Sequence, residues 1–204
     1  MSEHLVITIG REYGSGGREI GKKLAEALGI KFYDKELIRM AAKESGMSQE
    51  AFEKVDEIAS GSLLYSVVTS TYGASNLLDL PLNDKLFILQ ANIIKTVAQK
   101  EDCIIVGRCA DYILKDKVAC INLFIHAPLE KRVAHAVANY GLEADKAKQK
   151  ISKIDKKRAT YYNYYTNNKW GKAKNYDLAI DSSVLGIDGT VDFIKQFIEA
   201  KRQK

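Results

Sequence analysis

The chain has 204 residues, 46% of them hydrophobic and 28% charged, with 14 Gly, 2 Pro and 3 Cys. A chain of this length buries roughly 70% of its unfolded surface, enough for one compact core without disulfides or structural metal, and its composition excludes collagen-like and low-complexity classes. The net charge of +5, from 31 basic and 26 acidic side chains, suits anionic ligands and disfavours nucleic acid as a partner.

No apolar run approaches the roughly 18 residues of a membrane span. The start, with Glu3 running straight into a strand-like segment, has neither the charge nor the cleavage region of a signal peptide. Cys103, Cys109 and Cys120 form an odd set without C-x-x-C spacing, which argues against a disulfide framework or a zinc site. The expectation is a cytoplasmic chain with no membrane partner.

In chain order, Leu5, Val6, Ile7, Thr8 and Ile9 make a buried strand ending at Gly10. Ile20, Leu24, Ala27 and Leu28 then fall at helical spacing over 18–28, and Gly29 stands where a left-handed cap belongs. A second strand is expected over 30–33 and a helix over 35–45, with Gly46 closing it and Ser48 capping the next. Residues 57–83 read as a helix-and-loop insertion. Periodicity resumes over 84–100, with Leu86, Leu89 and Ile93 expected on the core side and Phe87, Asn92, Ile94 and Val97 around the rest.

Strands are expected over 103–106 and 119–125. Pro128 opens a helix that Gly141 ends. A long basic helix runs over 143–165, a last strand over 176–180 and a last helix over 191–200. Five strands alternating with helices predict an α/β fold, a five-stranded parallel sheet flanked by helices.

The sharpest local feature is Gly10-Arg11-Glu12-Tyr13-Gly14-Ser15-Gly16-Gly17-Arg18, between the first strand and the first helix. Glycines admit positive φ and close backbone approach, so successive N–H groups ring an anion at a helix start. Aligned with a Walker A loop, Arg11 falls at the first glycine, Gly17 at the lysine and Arg18 at the magnesium-binding Ser/Thr. The donor-phosphate cradle is therefore expected to be Arg11, Gly14, Ser15, Gly16, Gly17 and Arg18, with a guanidinium in place of the lysine.

The chain resembles the cytidylate kinase-like branch of the P-loop nucleoside monophosphate kinases over nearly its whole length. Four stretches carry the likeness: Ile7 through the glycine turn; Phe32-Tyr33-Asp34 with Ile38-Arg39-Met40-Ala41 and Glu44-Ser45-Gly46-Met47-Ser48; Ile104-Ile105-Val106-Gly107-Arg108-Cys109-Ala110; and Arg132 through Ile154-Asp155-Lys156-Lys157-Arg158 to Tyr176–Ser183. The resemblance implies one P-loop kinase-like domain over 1–204, with an acceptor-binding helical subdomain over 34–83 and a lid region over 128–172. It implies ATP and Mg2+ as cofactors, nucleotides as partners, and transfer of a phosphoryl group to a nucleoside monophosphate, CMP or dCMP first. It also implies that Arg39 and Arg108 grip the acceptor phosphate.

The residues themselves carry part of this. Arg108 follows an apolar strand and so projects at the carboxyl edge of the sheet, where open α/β folds bind ligands. Ile151, Asp155, Arg158, Tyr162 and Tyr165 fall on one stripe of the basic helix. That stripe suits a lid that closes Arg158 onto phosphates while Asp155 holds it, so Arg18, Arg158 and Asp155 are the expected catalytic groups. Asp34 is a candidate for the acceptor ribose or a magnesium-bound water, or simply a helix cap. Glu12 either meets magnesium or ties back Arg11 or Arg18. Arg132, between Lys131 and a helix of charged neighbours, reads as part of a solvated face. The metal ligands are left unassigned. The missing lysine keeps a nucleotide- or phosphate-binding sensor as the alternative, the unassigned 57–83 segment keeps a kinase of another small phosphate acceptor, and a homodimer stays open.

Overall fold

The computed structural model describes residues 4–34, 37, 39, 40, 43 and 82–202. The expected cap at Ser48 and the 57–83 insertion lie outside the described residues, as does most of the expected 35–45 helix, of which Leu37, Arg39, Met40 and Lys43 are helical.

Five parallel strands form one sheet in the order β2-β3-β1-β4-β5. They are β1 (Val6–Arg11), β2 (Lys31–Tyr33), β3 (Cys103–Val106), β4 (Cys120–His126) and β5 (Leu178–Asp181). The helices are α1 (Gly17–Leu28), α2 (Leu82–Lys100), α3 (Ala110–Ile113), α4 (Leu129–Tyr140), α5 (Ala144–Thr166) and α6 (Ser182–Arg202), with a 3-10 turn at Ala173–Asn175.

The strands are β-branched because both their faces are buried. Val6, Cys103 and Ile105 point to the layer holding α2 and α3. Their neighbours Ile7, Ile9, Ile104 and Val106 point to the layer holding α1 and α6. This period-2 split makes two hydrophobic layers from one sheet. A third, smaller cluster of Ala136, Leu142, Ala147 and Ile151 joins α4 to α5.

Two helices differ from the expectation. On α2 the buried positions are Leu86, Gln90, Ala91, Ile93, Ile94, Val97 and Ala98, while Leu89 is only partly buried. The helix lies across the sheet and beside Tyr162 and Tyr165 of α5, so its buried arc is wider than one stripe. The last helix begins nine residues sooner than the expected 191, at Ser182, with a break at Gly186 (φ 67°, ψ −177°) where two helical stretches meet.

Strand order decides where a ligand binds. The chain leaves β1 toward β2 on one side and later fills β4 and β5 on the other, so the carboxyl end of β1 opens at a topological switch point. No helix among the described residues is long and apolar enough to cross a membrane.

Candidate active site

The loop of residues 12–16 leaves β1 at that switch point. Gly14 (φ 81°) and Gly16 (φ 73°) are left-handed. A Cβ on Gly14 would stand 2.6 Å from the backbone oxygen of Arg132, and one on Gly16 would collide with Ile187. The Ser15 hydroxyl lies 2.9 Å from the Glu12 oxygen and 3.1 Å from that of Ile125, and its own carbonyl accepts from Ser182 Oγ at 2.6 Å. Ser15 is thus spent on holding the loop. Gly16 caps α1 without any side-chain bond, so the first-turn amides of α1, which have no intrahelical partner, are presented at the positive end of the helix.

Arg11 crosses this helix start. A Cβ on Gly17 would lie 2.6 Å from the Arg11 Cβ, and a Cβ on Gly107 would collide with the Arg11 guanidinium. Residue 17 is therefore glycine because the Arg11 stem fills the volume in which a side chain there would begin. Arg158 of α5 donates to the Arg11 carbonyl at 3.1 Å and stands over the Tyr13 ring. Burial, then the like charge of Arg158, and further those of Arg108 and Arg18 push the Arg11 pKa down to about 9 against the pull of Asp34. Burial likewise lowers that of Arg158, against the pull of Asp155. A guanidinium stays charged at physiological pH, so both remain cations, and their depression reflects burial first and, for Arg11, the like charges around it second.

Asp34 is their shared counterion. It accepts from Arg18 Nε at 2.6 Å and lies 4.0 Å from Arg11, with 15% of its side chain exposed. Residues 35 and 36, which the helix-cap reading of Asp34 concerns, lie outside the described residues.

Arg132 departs from the expectation of a solvated face. It is only 9% exposed, on the buried i, i+4 stripe with Ala136. Its Nη1 donates to Asp155 at 2.6 Å and to the Tyr13 carbonyl at 3.1 Å, and its Nε lies 3.2 Å from Glu12 and donates to the Ala127 carbonyl at 2.9 Å. Asp155 also accepts from the Tyr13 amide at 2.7 Å, whereas Arg158 is 3.8 Å away. Asp155 thus holds Arg132 and the loop more closely than it holds Arg158, and Glu12 ties to Arg132 rather than to Arg11 or Arg18. The signal in the sequence was the spacing of Arg132 and Ala136, masked by Glu130 and Lys131 beside it.

After β3 the backbone turns through three consecutive left-handed residues, Gly107 (φ 76°), Arg108 (φ 59°) and Cys109 (φ 55°). Two of them carry side chains, a strained arrangement of the kind that accompanies functional sites. The turn brings Arg108 to a cavity of about 250 Å3 with Arg11 and Arg158, opposite Trp170, Tyr176 and Tyr161. Asp111 lines the same cavity; three residues beyond Arg108, it escaped sequence reasoning, as did Trp170 and Tyr176 as site residues. The aromatic residues of α5 are partly spent on packing: Tyr162 is buried, and Tyr165 stacks on Phe87 at 4.0 Å. Arg39 is exposed and is not among the residues lining this cavity.

A second hollow of about 210 Å3 opens on the other side of the loop, between Gly14, Lys131, His135, Ser183 and Ile187. Burial pushes the Cys103 thiol up to about 12, Cys120 up to about 11 and Cys109 higher still, so no thiolate nucleophile is at hand. Among the described residues no three His, Cys, Asp or Glu side chains gather to hold a metal ion.

Comparison with known proteins agrees with this geometry. The signature of the cytidylate kinase-like family matches residues 6–184. A cytidylate kinase from Methanopyrus kandleri is 26% identical over 208 residues, covering 98% of this chain and 95% of its own. One from Pyrococcus furiosus is 28% identical over 198 residues, covering 96% and 88%. An uncharacterized protein of solved structure from Eubacterium ventriosum is 30% identical, with a TM-score of 0.68 over 96% of this chain and 99% of that one. A shikimate kinase from Acinetobacter baumannii, 16% identical with a TM-score of 0.56 over 100% and 97% of the two chains, shares the fold. The chain belongs to the cytidylate kinase-like family.

Proposed function

We propose that the protein transfers the γ-phosphoryl group of ATP to a nucleoside monophosphate, with CMP or dCMP as the preferred acceptor. Its relatives named cytidylate kinase support phosphoryl transfer to a nucleotide at the level of the family. The observation that carries the reading is Arg11, laid across Gly17 beside the glycine loop and converging with Arg108 and Arg158 on one cavity.

In this reading the donor nucleoside occupies the hollow beside Gly14 and Ser183, and its phosphates lie on the first-turn amides of α1 with Arg11 and Arg18. Arg108 holds the acceptor phosphate and Arg158 serves the transfer region, while Arg39, outside the lining of that cavity, keeps only the acceptor role that the family resemblance implies for it. An acceptor phosphate oxygen attacks the γ-phosphorus as the bond to the β–γ bridging oxygen breaks, and ADP leaves. The attacking oxygen is already largely ionised at neutral pH, because a phosphate monoester has a second pKa near 6. No general base is required, in keeping with the scattered histidines. Catalysis then consists of positioning and of placing cations around the migrating group in a site that excludes water.

The loop fits ATP, since left-handed glycines, a helix start and guanidinium groups suit polyphosphate. Magnesium finds a poorer fit among the described residues. Glu12 and Asp155 are engaged by Arg132, Asp34 by Arg18, and position 18 is an arginine instead of a hydroxyl residue. A magnesium ion is then expected to arrive on the phosphates with its own waters, and no step is assigned to protein ligands of it. The same glycine at 17 and arginine at 18 favour the second reading, a nucleotide-binding sensor without turnover.

Incubation with ATP, magnesium and a panel of monophosphates, followed by ADP formation, separates the two. Turnover with CMP that falls at least about a hundredfold in Arg108→Ala supports the kinase. ATP binding with no turnover on any acceptor contradicts it and leaves the sensor.

A further inference from the structure

Glu12 places a carboxylate inside a loop suited to polyphosphate, a charge that phosphate repels. Its own contacts lead elsewhere. Its Oε2 accepts from the Ala127 amide at 3.2 Å and lies 3.2 Å from Nε of Arg132, while its backbone amide donates to the Ile125 carbonyl at 3.0 Å. Neither Glu12 nor Arg132 nor Asp155 lines either hollow beside the loop, so these three reach a bound ligand only through other groups. Asp155 supplies the next link. Its Oδ1 accepts from the Tyr13 amide at 2.7 Å and lies 3.8 Å from Nη1 of Arg158, and that same nitrogen donates to the Arg11 carbonyl at 3.1 Å. One turn of α5 therefore holds the loop backbone on both sides of Glu12. Loop and helix meet again on Arg132, whose Nη1 donates to Asp155 at 2.6 Å. A planar guanidinium between two carboxylates fixes their separation and direction together. Arg158, at the end of this chain of contacts, lines the cavity with Arg11 and Arg108.

We propose that Glu12 is a positioning residue: through Arg132 and Asp155 it sets where α5 stands against the loop, and so where Arg158 stands against the terminal phosphate of a bound nucleoside triphosphate. The assignment rests on the proposed function, which puts Arg158 at the transfer region. Three segments far apart in sequence, the loop, α4 and α5, each supply one member of the brace. Without Glu12, Arg132 keeps Asp155 but loses its tie to the loop, and the guanidinium of Arg158 is no longer held at one distance from the phosphates. Placement on that scale matters because a cation displaced by about 1 Å loses much of its effect on a transferring group.

The test is calorimetric titration of the full chain, Glu12→Ala, Arg158→Ala and the double variant with ATP and with ADP at one magnesium concentration, while ADP formation on a panel of monophosphates is followed in parallel. The readout is the ratio of ATP to ADP affinity, because the two nucleotides differ by the phosphate that Arg158 is placed to meet, and a loss of stability alone does not move it. The wild type is expected to bind ATP at least about tenfold more tightly than ADP, the scale of one hydrogen bond to a charged group. Glu12→Ala and Arg158→Ala are each expected to cut that ratio to about threefold or less, and the double variant to fall no lower than Arg158→Ala, since members of one network are not additive. A ratio that Glu12→Ala leaves unchanged overturns the assignment, even where both affinities fall together, and so do effects that multiply in the double variant or a wild type that binds ATP and ADP equally. Should Glu12→Ala fail to fold, Glu12→Gln, which keeps an oxygen for the Ala127 amide without the charge, takes its place under the same criteria. The expected cycle without ADP formation on any monophosphate keeps the brace and removes the kinase. ADP formation with multiplying effects keeps the kinase and removes the brace, and failure to bind either nucleotide overturns both.

Discussion

Arg132 illustrates what burial does to a charge. Its guanidinium is nearly enclosed and meets two carboxylates, Glu12 on the loop and Asp155 on α5. Removing it leaves both acids partly buried without their counterion, and breaking a buried pair from one side costs about 3–5 kcal/mol. Arg132→Ala is therefore expected to lose stability on that scale in urea unfolding, at an unchanged m-value. A loss below about 1 kcal/mol would return Arg132 to the solvated face. Arg132→Lys should recover only part, because an ammonium cannot span two carboxylates and a carbonyl as a planar fork does. This residue was not legible from its neighbours, since its burial is created by α5 docking onto α4, a contact that local composition does not encode. Asp34 is similar: its position after β2 was readable, but its partners Arg18 and Arg11 come from elements brought together only by the fold.

At the scale of elements, the loop and its helix act as one unit with the Arg11 side chain. Restoring the lysine of a Walker A loop by Gly17→Lys would look like a repair on sequence grounds. The structure predicts the opposite, because the new Cβ would stand 2.6 Å from the Arg11 Cβ, closer than real side chains come. Gly17→Lys is expected to weaken ATP binding at least about tenfold and to lower stability, both read by titration and thermal unfolding. Tighter ATP binding in that variant would show that Arg11 does not occupy the lysine's place. Element boundaries were largely legible because glycines and prolines punctuate them: Gly29 and Gly141 are left-handed caps, and Pro128 precedes α4. The start of α6 was not, since Gly186 and Gly189 look like loop residues. The helical stretch around them is set by docking on the sheet and by contacts such as Thr190 with the Gly186 carbonyl and Lys23 with Asp188. The wider buried arc of α2 was hidden for the same reason, because helical periodicity reports one face while two surfaces cover it.

For the whole molecule, the α/β class and the count of five parallel strands could be read from alternating apolar runs and amphipathic stretches. The strand order could not be read from residues one by one, and it is the order that gathers the ends of β1 and β3, Arg158 of α5 and the residues after β5 at one edge. The outcome is a concentration of guanidinium groups that the chain's modest net charge does not reveal. On the proposed function, such a concentration is expected to lower the stability of the unliganded protein while raising its affinity for polyphosphate, the conflict of a site kept for function. Thermal unfolding of wild type and Arg11→Met, each without nucleotide and with excess ATP, tests this most directly, because ligand stabilisation reports affinity through RT ln(1 + [L]/Kd). Arg11→Met is expected to match or exceed the wild-type midpoint without nucleotide and to lose most of the ATP-induced rise. A full ATP-induced rise in Arg11→Met would contradict the claim that a guanidinium at the first strand-to-helix junction holds the phosphates.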